Sequence, residues 1–368
     1  MSPKKRRELI DTLKRKDPFV VELDTKWYPF DVFDFYVNNM DLVKKYIRKN
    51  TTTVIISEDY EVPEEWQYKS NAAVVDSKVV QEFTDLQKLE IIKCSFDPIY
   101  FARKYIRVIN IDGGVVPFDM YDCQEDMIRG FHENRFVVAC TGRQIGKTTT
   151  AASYILWYAM FHKAKPAAVL ANKADQAQEI IERIQTSYEE LPLFLKVGIR
   201  VYNKRSMTFV NKSKVFSAAS SKSAIRGKSI SLLYWDEVAF TDNDVTFYEA
   251  IFPTISSGET TKFIVTSTPN GKRGVFYKIW SEAPGNGFHP IFIKWDQIPW
   301  RDEKWAQSII KATSYEQFLQ EHCAEFRGSE NAILSGETLM RLAHHQPIKT
   351  INDDLRIFKN PVKGNVYV

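Results

Sequence analysis

Gly146-Lys147-Thr148 stand where an apolar run, Phe136-Val137-Val138-Ala139-Cys140, gives way to a helical stretch. A turn holding Gly142 and Gly146, set between a strand and a helix N-terminus, is what gripping a polyphosphate requires. Successive amides curl around the anion there, and the partial positive charge of the helix end favours it. Gly146 admits close backbone approach, Lys147 reaches β/γ-phosphates, and the Thr148 hydroxyl can ligate Mg²⁺. The match is incomplete: the motif's first glycine falls on Thr141, and Gly142 comes one position late. A chance Gly-Lys-Thr at an ordinary strand–helix turn reads the same way, so a second element has to decide.

ISLLYWDE supplies one, an apolar run leaving Asp236-Glu237 at its exit. Ligands of open α/β sheets sit at strand carboxyl ends, so the pair falls on the edge that carries the glycine loop. Asp236 would hold a Mg²⁺ shell and Glu237 would polarise an attacking water. Thr266-Ser267-Thr268 close the next apolar strand before Pro269-Asn270-Gly271, where hydroxyls could sense a γ-phosphate. A strand cap running into a Pro-Asn-Gly turn explains them equally well. Gln124, in YDCQEDM, carries an amide able to read an adenine edge, although taken alone it reads as a surface glutamine.

Charge is distributed unevenly. No acidic residue lies between Glu190 and Asp236, while Lys196, Arg200, Lys204, Arg205, Lys212, Lys214, Lys222, Arg226 and Lys228 do. Such a stretch suits a polyanion, unless acids elsewhere in the fold balance it. Arg226, between small residues in SAIRGKS, is placed to stabilise transition-state charge as an arginine finger does, and Arg143 in the loop is a second candidate. No nuclease signal stands out: the histidines are scattered apart from His344-His345.

The elements that must position these groups alternate. The middle of the chain reads as strand 136–140, helix from Lys147 to about His162, strand 166–172 and helix 174–191. Short β pieces follow near 198–202, 207–210 and 214–217, then strand 230–235, a helix near Val245–Ile251 and strand 261–268. Apolar strands alternating with helices predict an α/β fold with a mainly parallel sheet covered on both faces. A helical stretch from Asp97 leads to a turn at Gly113-Gly114, and the signal is helical again after about Asp296.

The 368 residues, 44% of them hydrophobic, fit two domains or one large domain with an appendage. The division expected is an N-terminal region over 1–95, a nucleotide-binding core over 96–295, a helical segment over 296–345 and a linker over 346–368. A net charge of +4 says little about partners when read globally. Cys94, Cys123, Cys140 and Cys323 lack zinc or redox spacing and fit reduced thiols of a cytosolic protein. No apolar run approaches the ~20 residues of a membrane span. The basic start precedes no apolar core and so does not read as a secretory signal, and Lys4-Lys5-Arg6-Arg7 fit a solvated helix start better than an address or nucleic-acid patch.

Taken together, GRQIGKTT, LLYWDE, TSTPNG, the upstream YDCQ and SAIRG resemble the large terminase subunit of T4-like tailed phages. KWYPF, EQFLQEHCAEFRG and ILSG extend the likeness over roughly Lys26 to Gly336. These terminases carry a variant P-loop, which accounts for Thr141. The resemblance implies a P-loop NTPase fold of the additional-strand, catalytic-glutamate type with a small, mostly helical subdomain. It also implies that Gln124, Gly142, Arg143, Gln144, Gly146, Lys147, Thr148 and Thr149 bind ATP. Thr148 and Asp236 would hold Mg²⁺, Glu237 with Arg226 and Arg143 would act in catalysis, and Thr266, Ser267 and Thr268 would couple hydrolysis to movement. Such proteins form rings in the host cytoplasm, transiently at the portal vertex of a procapsid. Their partners are double-stranded DNA, the portal protein and the small terminase subunit, with no membrane involved. The nuclease domain that large terminases add is not expected from these residues. Two other readings stay open: a helicase-like translocase stacking bases on Tyr202, Phe209 and Phe216, and a non-catalytic DNA- or portal-docking module.

Overall fold

The computed structural model describes residues 60–110, 112–219, 228–327, 349–351 and 355–357. KWYPF, the basic N-terminus, Lys222, Arg226 and the segment 328–345 lie outside them. Within them, a short hairpin, β1 (Gln67–Tyr68) and β2 (Asn71–Val75), precedes helices α1 (Asp85–Phe96) and α2 (Pro98–Tyr105). Thr84 caps α1, exchanging hydrogen bonds with Gln87. Asp97 caps α2 by accepting from the amides of Ile99 and Tyr100, with Pro98 at the first helical position. A second hairpin, β3 (Arg107–Asn110) and β4 (Gly114–Pro117), turns at the predicted Gly113-Gly114.

The core then alternates much as expected. Helix α3 (Asp122–Glu133) leads to β5 (Phe136–Thr141), α4 (Lys147–Phe161), β6 (Pro166–Ala171) and α5 (Ala174–Glu189). Strands β7 (Ile199–Asn203), β8 (Ser206–Phe209) and β9 (Lys214–Ala219) follow. Next come β10 (Leu232–Asp236), α6 (Asp244–Ser256), β11 (Lys262–Ser267), α7 (Gly274–Glu282) and β12 (His289–Ile293). Helices α8 (Glu303–Ala312) and α9 (Tyr315–Glu321) complete this unit, which ends at Phe326. In the second unit, Arg327–Val368, the described residues form an antiparallel hairpin, β13 (Lys349–Ile351) with β14 (Leu355–Ile357), where the sequence reads as linker.

Eight strands form one sheet in the order β12-β5-β11-β10-β6-β9-β8-β7, parallel except for the antiparallel β9-β8-β7 end. The fold is α/β, and β11 is interposed between the glycine-loop strand β5 and the acidic strand β10. Register aligns Asp236 with Thr266, and Ser267 with Cys140, so three strand ends meet at one edge. Strands β10 and β11 are buried along their whole length, as a sheet covered on both faces demands. Helix α4 is buried from Thr150 to Phe161, which fixes the N-terminus carrying Lys147 and Thr148.

Side chains reaching in from neighbouring segments finish the helix ends. The Lys262 ammonium donates to the Phe131, His132 and Asn134 carbonyls at 2.8–2.9 Å, closing α3. Arg135 does the same for α6, donating to the Ile255, Ser256 and Gly258 carbonyls. Asn211 closes α4 through the carbonyls of Ala159, Met160 and His162.

Burial, and secondly the Lys262 charge, pull the His132 imidazole down to about 3 from 6.5. Its folded value is depressed, so the stability it contributes is present above the unfolded value and lost as pH falls towards the folded one. The denaturation midpoint should therefore drop as pH is lowered from 6.5 towards 4. His132→Phe, which keeps the ring against Trp157 at 5.2 Å, should flatten that slope in urea titrations. An unchanged slope would contradict the assignment.

Candidate nucleotide-binding site

The site grows from the loop joining β5 to α4. Gly146 takes φ +80°, and a Cβ there would stand 2.4 Å from the Gln124 amide nitrogen. Gln144 also adopts a left-handed backbone, φ +57°. Alternating handedness of this kind curls a backbone into an anion nest. Gln124, on the first turn of α3, braces the loop: Nε2 donates to the Ile145 carbonyl at 2.9 Å, and Oε1 accepts from the Tyr121 amide at 3.0 Å.

The acidic strand meets the loop directly. Lys147 Nζ lies 2.6 Å from Glu237 Oε1, and Thr148 Oγ1 donates to Asp236 Oδ2 at 2.9 Å. Thr266 Oγ1 donates to the other Asp236 oxygen at 2.7 Å and lies 2.9 Å from the Tyr234 hydroxyl. Burial, and secondly the Asp236 charge, hold the Tyr234 phenol well above its ordinary range, so it stays protonated. Ser267 Oγ reaches Glu237 Oε2 at 3.4 Å and the Thr268 carbonyl at 2.7 Å, and accepts from the Ala239 amide at 3.1 Å. Asn270 Nδ2 donates to the Ala239 carbonyl at 3.1 Å, tying the following turn to the acidic loop. Glu237 itself sits at φ +50°, a strained conformation for a glutamate, and this turn aims its carboxylate at Lys147.

The structure thus brings together Gln124, Lys147, Thr148, Asp236, Glu237, Thr266 and Ser267. Thr268 is buried beside them, and Thr149 occupies the first turn of α4. Asp236 is 5% exposed and offers hard oxygen ligands beside the Thr148 hydroxyl, a donor set that suits Mg²⁺ completed by phosphates and water. Gly142 and Arg143 are tied to the far segment instead: the Gly142 amide donates to the Ile293 carbonyl at 2.8 Å and the Arg143 amide to the Glu321 carbonyl at 2.6 Å. The Arg143 guanidinium faces Glu321 at 3.4 Å.

Arg301, Tyr234 and Tyr121 were not legible as site residues. Arg301 donates to the Arg143 and Gln144 carbonyls at 3.2 and 2.8 Å, yet a lone arginine in a loop carries no spacing signal. Tyr234 hid inside an apolar run.

The basic stretch divides. Lys196 is buried and caps α5 through the Glu189 carbonyl, so it serves the fold. Arg200, Lys204, Arg205, Lys212 and Lys214 are exposed along the antiparallel end of the sheet. Phe209 and Phe216 are buried and offer no free stacking platform, while Tyr202 is half-buried with its hydroxyl held by Glu189 at 2.6 Å. No helix among the described residues is long and apolar enough to cross a membrane.

The family model described as the large terminase subunit, T4likevirus-type, N-terminal part, matches residues 138–341. The large terminase subunit of Thermus virus P23-45 is 27% identical over 57% of this chain and 49% of its own. The chain thus spans about half the length of the curated relatives it matches. Among solved structures, the HK97 bacteriophage large terminase superposes with a TM-score of 0.53 at 15% identity, over 70% of this chain and 60% of that one, a likeness of fold. The ATPase domain of the Thermus phage P74-26 large terminase gives 0.44 at 21% identity, over 54% and 92%.

Gly146→Ala should cost about 1–3 kcal/mol, because it forces a β-carbon into a left-handed position against Gln124. A denaturant titration showing parental stability would contradict the loop geometry.

Proposed function

This chain belongs to the large terminase subunit family of the T4-like type, and we propose from that premise that it is an ATPase motor segment that drives double-stranded DNA into a viral procapsid. The observation that carries this reading is the cluster of Lys147, Thr148, Asp236, Glu237 and Thr266 at one sheet edge. Each has a task in phosphoryl transfer to water. Loop amides and Lys147 bind the β- and γ-phosphates; a phosphate entering the loop competes with Glu237 for Lys147 and frees that carboxylate. Glu237 then orients and polarises the attacking water. Thr148 and Asp236 would hold Mg²⁺, which when bound neutralises phosphate charge.

Ser267 touches both Glu237 and the backbone of the next turn, so a change at the γ-phosphate can be relayed to Ala239 and Asn270. The Gln124 amide spends its donor on the loop and its acceptor on Tyr121, so it braces the loop, and reading an adenine edge would require it to exchange one of those bonds. The exposed cations Arg200, Lys204, Arg205, Lys212 and Lys214 supply a surface that attracts a nucleic-acid backbone. Ring assembly at a portal, with Arg226 completing a neighbour's site and a small subunit delivering DNA, belongs to the same reading. The buried rings of Phe209 and Phe216 disfavour the single-strand stacking alternative.

Lys147→Ala should abolish hydrolysis, because the phosphate contact is lost while the fold stays; near-normal turnover would sink the assignment. Arg226→Ala should depress activity only in assembled rings if it acts in a neighbour's site. Equal loss in dilute monomer would place it in its own.

A further inference from the structure

Arg301 lies between the short turn at Trp295–Gln297 and α8, outside every motif the proposed function uses. It is 5% exposed. Its guanidinium passes 4.5 Å from the Trp305 ring and 5.0 Å from the Trp300 ring, and its two terminal nitrogens donate to the Arg143 and Gln144 carbonyls. Among the described residues no carboxylate forms an ion pair with it, and its Nε is buried without a hydrogen-bond partner. Burial lowers its pKa, the sign expected of a cation kept from water. A buried guanidinium is costly, and both hydrogen bonds it makes here go to backbone of the glycine loop.

The consequence follows from peptide geometry. A trans peptide is planar, with its carbonyl and the next residue's N–H on opposite sides. Holding the carbonyls of 143 and 144 towards Arg301 turns the amides of Gln144 and Ile145 away from it, into the loop. Arg143 is tied to the same segment twice more, to Glu321 by both backbone and side chain, and Gly142 is tied to Ile293 at the end of β12 just before it.

We propose that Arg301 is a positioning residue for nucleotide binding, presetting the loop's amides towards the phosphates and coupling loop occupancy to the segment 294–325. The inference rests on the loop being a nucleotide site. Coupling is reciprocal: if the clamp favours the nucleotide-ready loop, bound nucleotide must tighten the clamp by the same factor.

The test is equilibrium binding of a fluorescent ATP analogue with Mg²⁺, together with the melting temperature with and without nucleotide. The proteins compared are the parent, Lys147→Ala, Arg301→Lys and Arg301→Gln. Arg301→Lys keeps the charge but loses the fork, and should weaken binding about ten-fold or more, as loss of a charge-assisted pair of bonds does. Its KM for ATP should rise in step, and the melting-temperature gain on adding nucleotide should shrink. Parental affinity in both folded Arg301 variants, with Lys147→Ala defective, would overturn this inference and leave the site's function standing. No binding by the parent would overturn both. Should neither Arg301 variant fold, hydrogen exchange of the parent decides. Nucleotide must slow exchange at residues 295–305 as well as in the loop, and unchanged exchange there refutes the coupling.

Discussion

Two side chains at the start of one helix meet two carboxylates at the end of one strand, and much of the structure exists to hold that meeting. Lys147 on Glu237 and Thr148 on Asp236 bridge elements separated in the sheet by a whole strand. They can meet because β11 slots between β5 and β10 in register and offers Thr266 as the intermediary on Asp236. A shift of one residue in β11 would turn Thr266 to the other face and break the chain of contacts. The parallel sheet is therefore the instrument that sets distances of 2.6–2.9 Å between groups far apart in sequence.

The scaffold is stiffened in a recurring way. Lys262, Lys196 and Arg301 bury a cation and Arg135 half-buries one, and each donates to backbone carbonyls. For Lys262, Arg135 and Lys196 the carbonyls are helix C-terminal ends, where the helix dipole adds to the attraction. For Arg301 they belong to the glycine loop between β5 and α4. A helix end closed this way cannot fray without stranding a charge.

How much of this was legible depended on whether a residue announced itself by pattern. The strand–loop–helix from Phe136 to Phe161 did, since apolar strand, glycines and Lys-Thr follow in chemical order. So did Asp236-Glu237, because an acidic pair after an apolar run marks a strand end. Strand β12 did not: it is a short edge strand containing Pro290, tolerated only where the ladder has one side. Helix α3 was also hidden, since its sequence is polar and carries Gly130. A Cβ at that glycine would meet the tip of the Ile291 side chain on β12 at 2.6 Å. Arg301 could not be found at all, because its partners are carbonyls, which carry no sequence signature. Tertiary contacts to backbone are what a sequence hides best.

The central claim is that Glu237, turned into a strained backbone beside Lys147, is the group that activates water against a bound nucleotide. Mg²⁺-dependent ATP hydrolysis by this chain and by Glu237→Gln, each with and without double-stranded DNA and alongside ATP binding, tests it most directly. The account predicts turnover in the parent that vanishes in Glu237→Gln while ATP still binds. Turnover surviving the substitution would contradict it.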